Sequence, residues 1–186
     1  MLIGKNILLR PITTADLPQL AEWYDDPAFF GSYFNLWPTT LEREEKSFGQ
    51  QDHTHESDSY LITNREQGEL MGLIGFLNTF SFSLYQAREI WYQTHPRFRR
   101  KGFATQAACL LLNHLFNATP VNRIQAHVVV GNEGCCRVLE NAGMQEEGIC
   151  RGIFYLHGRF ADLYRYSIVR DDWRDDATYR NSRKEF

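Results

Sequence analysis

The sequence predicts a mixed α/β fold, and three observations carry that reading. Between residues 88 and 130 a strand pattern gives way to a long helix pattern and then to a strand again. A second helix pattern follows at once, and two further strands around a His157-Gly158 turn close the regular part of the chain. The 186 residues, 43% hydrophobic and 14% aromatic, suffice for one domain with a sizeable core.

Each element has its own local reason. Thr13 or Thr14 can cap a helix through Leu17, Leu20, Ala21 and Tyr24, and Thr39 or Thr40 can start another over Leu41 to Phe48. The segments YLITN (60–64) and ELMGLIGF (69–76), joined by REQG, read as a hairpin, and REIWYQT (88–94) alternates as a strand should. Beyond Gly102, apolar residues fall at Ala104, Ala107, Ala108, Leu111, Leu112 and Leu115, one continuous helical stripe ending near Asn117. Ile124, Ala126, Val128 and Val130 alternate on a strand over 123–130. Asn132 can then cap a helix carrying Cys135, Val138, Leu139 and Ala142, with Gly143 at its C-terminal end. The final strands span about 145–156 and 159–169, and a charged extension is expected over 171–186.

Composition narrows the function classes. A formal net charge of −3 disfavours a polyanionic partner, so no nucleic acid is expected. No apolar run of 18 residues and no signal-type apolar segment occurs, so no membrane association and a cytoplasmic location are expected. The four cysteines, Cys109, Cys135, Cys136 and Cys150, lack paired CxxC spacing and are expected to be reduced thiols. His53-Thr-His55-Glu has no second ligand pair at defined spacing, so no metal is expected, and the polar stretch 49–59 reads as a loop.

The stretch RFRRKGFATQA (97–107) links a strand to the long helix. Such a loop presents unpaired backbone N–H groups and the positive end of the helix dipole, and Gly102 permits close approach. Arg99, Arg100 and Lys101 add charge suited to a di- or polyphosphate. In isolation a basic triplet is more readily a solvated turn, but its place between strand and helix favours an anion seat. GxxxxGK[ST] and GxGxxG are both absent.

The pattern Arg99-x-x-Gly102-x-Ala104 resembles the acyl-CoA signature of the GNAT acetyltransferase superfamily. ILLRPITTADLPQLAEWYDDP, EIWYQTHPRFRRKGFATQAACLLLNHLF and NEGCCRVLENAGMQEEG are similar, in that order, to segments of the branch that acetylates ribosomal-protein N-termini. The resemblance implies a single domain over 1–170, with a central mixed, mostly antiparallel twisted sheet of about seven strands flanked by about four helices. It implies acetyl-CoA as co-substrate, and as acceptor a small-molecule or peptide N-terminal amine attacking directly in a ternary complex. A monomer or homodimer is expected. Trp91, Tyr92, Gln93 and Thr94 would splay from the next strand toward pantetheine. Arg99, Arg100, Lys101, Gly102, Phe103, Ala104 and Thr105 would cradle the pyrophosphate, and Asn132 would lie near the pantetheine arm.

Deprotonating an alkyl ammonium at neutral pH needs a base, and the leaving sulfur needs a donor. Glu89, on the strand resembling the acetyl-CoA-binding one, is the candidate base; the alternative is a strand-edge carboxylate paired with Arg88 or Arg123. Cys135 stands where the branch commonly has serine and is the candidate sulfur donor, though it also fits the apolar stripe. Asn132 serves as well as a helix cap. Phe29, Phe30, Tyr33, Phe34 and Trp37 would line an acceptor pocket or form a core under the first helices, while Tyr155, Asp162, Tyr164 and Tyr166 read as packing or pairing residues. Three departures stand out: Leu139 where many members carry a tyrosine acid, Trp91 in place of the branch's glycine, and Gln106 in place of a glutamate. Trp91 and Leu139 leave open a non-catalytic acyl-CoA sensor, and an aminoglycoside-type resistance enzyme, which an acidic acceptor cleft would support, is the competing enzymatic reading.

Overall fold

The structure, a computed structural model, describes residues 1–36, 39–49, 57–79 and 87–175. The chain runs β1 (Leu2–Ile3), β2 (Ile7–Pro11), α1 (Leu17–Asp25), α2 (Pro27–Phe30), α3 (Leu41–Gly49), β3 (Ser57–Asn64), β4 (Leu70–Asn78) and β5 (Ala87–Thr94). It continues with α4 (Phe103–Ala118), β6 (Arg123–Val129), α5 (Glu133–Asn141), β7 (Gln145–Leu156), β8 (Arg159–Val169) and α6 (Arg170–Asp175). The sheet order is β1-β2-β3-β4-β5-β6-β8-β7, and every described neighbour pair is antiparallel except β5–β6. The mixed α/β expectation holds. The strands number eight rather than about seven because β1 adds a two-residue pair to β2. The α-helices number six among the described residues rather than about four, since α2 and α6 are short extra turns.

Strand alternation sends side chains to two separate cores. On one face Ile74, Ile90, Ile124, Ala126 and Val128 pack against the stripe Ala107, Ala108, Leu111, Leu112 and Leu115 of α4 and Leu139 of α5. Each such fully buried leucine contributes about 2 kcal/mol. On the other face Leu61, Leu73 and Trp91 meet Leu17, Leu20 and Trp23 of α1 and Phe29 of α2. Phe29, fully buried and stacked on Trp23 at 5.1 Å between centroids, therefore belongs to a core beneath the first helices. Trp37, His53, His55 and Glu56 lie outside the described residues.

The entry to α1 is pinned by charge. Arg10 clamps Asp16 through two hydrogen bonds of 2.8 and 2.7 Å, and the Thr13 N–H and hydroxyl donate to the same carboxylate at 2.8 and 2.7 Å. These bonds, the Arg10 guanidinium first, lower the Asp16 pKa to about 2 against the cost of burial. A carboxylate depressed on folding stabilises the protein fully above its unfolded pKa near 4, and that contribution disappears as pH falls through about 2. Asp16→Asn should accordingly flatten the acid limb: between about pH 5 and about pH 2.5 its urea midpoint falls less than that of wild type. Parallel curves for the two proteins would remove this clamp from the acid response.

At the other end of the chain, Arg170 donates to the carbonyls of Phe116, Thr119 and Val121, closing the C-terminus of α4. Trp173, 3% exposed, stacks on Phe116 at 5.1 Å. The chain from Arg170 to Asp175 thus forms a helix whose tryptophan belongs to the main core.

Candidate active site

The parallel pair β5–β6 is short. Its register runs Ala87↔Arg123, Arg88↔Ile124, Glu89↔Gln125 and stops there, although β5 continues to Thr94 and β6 to Val129. Past Glu89, β5 stays paired to β4 as far as Gly72↔Thr94, and β6 stays paired to β8. The two strands therefore diverge, leaving the β6-facing edge of residues 90–94 without a ladder partner. A Cβ on Gly75 would lie 2.7 Å from the Trp91 ring, so that glycine leaves the space in which the indole packs.

Immediately after β5 the chain makes a 3₁₀ turn (Pro96–Phe98) and enters α4 through Arg99, Arg100, Lys101 and Gly102. Arg100 and Gly102 both sit in the left-handed region, at φ 59 and φ 80. For Arg100 that conformation costs about 1 kcal/mol or more. The first amide of the helix to bond back is Gln106 N–H, to Gly102 O at 3.1 Å, so Phe103, Ala104 and Thr105 N–H have no partner of that helical kind. A Cβ on Gly102 would find no protein atom within 4 Å. Exposed Arg100 and Lys101 flank this open space, and Gln106 Oε1 is buried without a hydrogen-bond partner among the described residues. Free amides, two cations and a space bounded by a glycine fit a pyrophosphate.

The Arg99 guanidinium has a different engagement. It donates to Thr94 O at 3.0 Å, Ala28 O at 2.9 Å and Phe29 O at 2.6 Å, and the Gln93 amide donates to the same Phe29 carbonyl. Both side chains bind the end of α2 to the end of β5. Arg99 thus keeps its charge beside the loop, but its Nε and Nη2 are committed to these backbone carbonyls.

Across the gap, Asn132 caps α5. Its Oδ1 accepts from Cys135 N–H at 3.3 Å and its Nδ2 donates to Cys135 Sγ at 3.3 Å. Tyr92 O–H donates to Cys135 O at 3.1 Å, so a β5 side chain reaches the first turn of α5. Burial pushes both the Tyr92 hydroxyl and the Cys135 thiol upward, so each stays protonated at neutral pH. Leu139 is fully buried, inside the core.

Glu89 has neither of the partners expected for it. Arg88 lies over the Phe76 ring at 4.6 Å, and Arg123 makes a two-point pair with Glu147, which also takes Arg165 Nε at 3.2 Å. That pairing, Arg123 first, lowers the Glu147 pKa to about 2. Glu89 instead meets His127 Nδ1 at 3.0 Å and accepts from Gln125 Nε2 at 3.2 Å, both from β6. Burial opposes its charge, but these bonds outweigh it and the Glu89 pKa is lowered. The sequence alone does not single out His127: alternation puts Glu89 with Trp91 and Gln125 with His127 on one face of their own strands, but that the two strands are neighbours in this register is shown by the fold.

The segment after α2 bridges the same gap. Tyr33 O–H donates to Gly131 O at 2.8 Å beyond β6, while Asn35 donates to Tyr155 O at 2.7 Å and accepts from His157 N–H at 3.1 Å at the β7–β8 turn. Phe34 touches Phe154, with centroids 6.3 Å apart. Of the late-strand residues, Asp162 accepts from Gly152 N–H and buried Tyr166 donates to Glu140.

Residues 6–145 match the acetyltransferase (GNAT) domain family. The chain belongs to the GNAT acetyltransferase family. As such it transfers an acetyl group from acetyl-CoA to an amine. Over 176 residues it is 26% identical to an uncharacterized N-acetyltransferase, p20, of Bacillus licheniformis, covering 92% of this chain and 97% of that one. Over 109 residues it is 32% identical to a putative ribosomal N-acetyltransferase, YdaF, of Bacillus subtilis, covering 59% and 58%. The GNAT fold recurs in the spermidine N-acetyltransferase of Vibrio cholerae solved with CoA and spermine, at TM-score 0.80 and 21% identity over 91% of this chain and 98% of that one. Among the described residues no helix is long and apolar enough to cross a membrane.

Proposed function

We propose that this GNAT enzyme acetylates a single primary amine, best a peptide N-terminus, by direct attack within a ternary complex. The observation that carries the proposal is the early end of the β5–β6 ladder at Glu89, on the same strand that feeds the open space at Gly102. Acetyl-CoA would place its pyrophosphate on the amides of 103–105 beside Arg100 and Lys101, and its pantetheine along residues 91–94. Backbone N–H groups on the unpaired edge of β5 would polarise the acetyl carbonyl.

Other groups divide the remaining work. Glu89 is the anion of the base that relieves the ammonium of a proton. Cys135 keeps its proton and donates a hydrogen bond to the departing sulfur; a thiol pushed upward by burial is a poor nucleophile, which agrees with attack that bypasses an acyl-enzyme. Asn132 caps α5 through Oδ1, and its Nδ2 has a second N–H besides the one aimed at Cys135 Sγ with which to meet the pantetheine.

Charge supports this acceptor: Glu89 and Glu147, on the face beside the gap, are each already paired, so neither is a spare carboxylate for a polyamine. A single amine suits this arrangement, as does the similarity to a putative ribosomal acetyltransferase. A thiol-release assay with acetyl-CoA against N-terminal peptides, spermidine and an aminoglycoside should give fastest turnover on peptides. Faster turnover of spermidine or the aminoglycoside would overturn the acceptor. Tight CoA binding without turnover of any amine would select the sensor.

A further inference from the structure

We infer that His127 is the group that accepts the amine's proton, with Glu89 as its orienting anion, so that the base of this enzyme is a two-residue unit spanning β5 and β6. The inference rests on the functional reading above, because it needs the gap beyond Glu89–Gln125 to be where the reaction happens.

Register and contacts support it. Glu89 is the last β5 residue paired to β6, and His127 lies two residues past its partner Gln125, on the same face and on the first stretch of β6 that β5 no longer covers. The Glu89 carboxylate is held from both sides, by Gln125 at 3.2 Å on one oxygen and by His127 Nδ1 at 3.0 Å on the other. A carboxylate is an acceptor only, so neutral His127 must carry its proton on Nδ1, which leaves Nε2 with its lone pair. Nε2 has no hydrogen-bond partner among the described residues, although the His127 side chain is only 20% exposed.

The surrounding charges leave Glu89 as the dominant influence. Arg165 stands opposite His127 on β8, but its guanidinium is answered by Glu147 of β7, as is that of Arg123. Of the pair, His127 Nε2 is the atom with an open lone pair, whereas the Glu89 carboxylate, held by two donors and with its pKa lowered, is a weak base at neutral pH.

The step balances. An ammonium N–H bond breaks toward Nε2, giving an imidazolium held against Glu89, and the freed nitrogen pair forms the C–N bond as the C–S bond breaks. Sulfur leaves with that bond's electron pair and receives the nitrogen's second proton, the amide keeps the third, and the imidazolium returns its proton to water.

The test couples kinetics to spectroscopy. His127 is titrated by NMR in the wild type and in Glu89→Gln, and kcat/KM against pH is measured with acetyl-CoA and the N-terminal peptide that the wild type uses best. The wild-type acid limb should follow the protonation of His127 that NMR observes, and His127→Gln should remove that limb. His127→Gln should lose about 100-fold in kcat/KM with CoA affinity unchanged, and added imidazole should partly rescue His127→Ala. A His127→Gln rate within about threefold of wild type with the limb intact would overturn the inference. So would a limb that survives in His127→Gln and vanishes only in Glu89→Gln, which would leave Glu89 as the base and the functional reading standing. No wild-type turnover of any amine would overturn both.

Discussion

Gly102→Glu should all but abolish CoA binding while leaving the protein folded. Gly102 has φ 80 and a Cβ there would meet no protein atom within 4 Å, so the variant suffers only the left-handed backbone penalty of about 1 kcal/mol. Its carboxylate, however, occupies the space beside the free amides of α4. A like charge about 4 Å from a phosphate costs about 4 kcal/mol at an effective dielectric near 20, roughly a thousandfold in affinity. Gly102→Ala shares the backbone strain without the charge and should bind CoA within about tenfold of wild type. Calorimetry on both variants separates the two causes, and an unchanged dissociation constant for Gly102→Glu would remove the pyrophosphate from this loop.

That loop was legible in the sequence because everything that makes it is local. A strand, a glycine and an apolar helical stripe occur in one run of the chain, as do Asn132 and the helix it caps. The elements that escaped notice are those whose reason for existing is tertiary. β1 has two residues, too few for any periodicity, and forms because β2 offers an edge. α6 looks like a charged tail, DDWRDD, until Trp173 finds the Phe116 ring and Arg170 the carbonyls at the end of α4.

The same division runs through the site. Arg99 reads locally as one of three cations for an anion, but its partners at Ala28 and Phe29 lie about seventy residues upstream, and they take its Nη2. Glu89 was visible as a carboxylate on a telling strand, whereas its partners required the parallel register of β5 on β6, fixed by a crossover through α4 rather than by a turn. Motifs reveal what one segment can do. Which side chains are already occupied depends on strand neighbours far apart in sequence.

Gly72→Ala should produce the largest loss of stability among glycine substitutions in the sheet. A Cβ at Gly72 would lie 2.3 Å from Gln93 O and 2.9 Å from Thr94 Cα. Both are backbone atoms of a paired ladder, so neither can rotate aside as a side chain would. Relief requires β4 and β5 to separate at Gly72↔Thr94, at a cost of about 3 kcal/mol, or roughly 6–12 °C in Tm for a domain of this size. Thr94 O also accepts from Arg99 Nε at 3.0 Å, so the same displacement disturbs the loop entering α4 and CoA affinity should fall with stability. Gly68→Ala is the control: at φ 69 it carries the left-handed penalty, but nothing lies within 4 Å of its Cβ. It should cost about 1 kcal/mol and leave CoA binding unchanged. Thermal melts and calorimetry on the two variants therefore separate backbone preference from steric contact, and equal Tm values would show that the β4–β5 contact is not what holds the end of β5 in place.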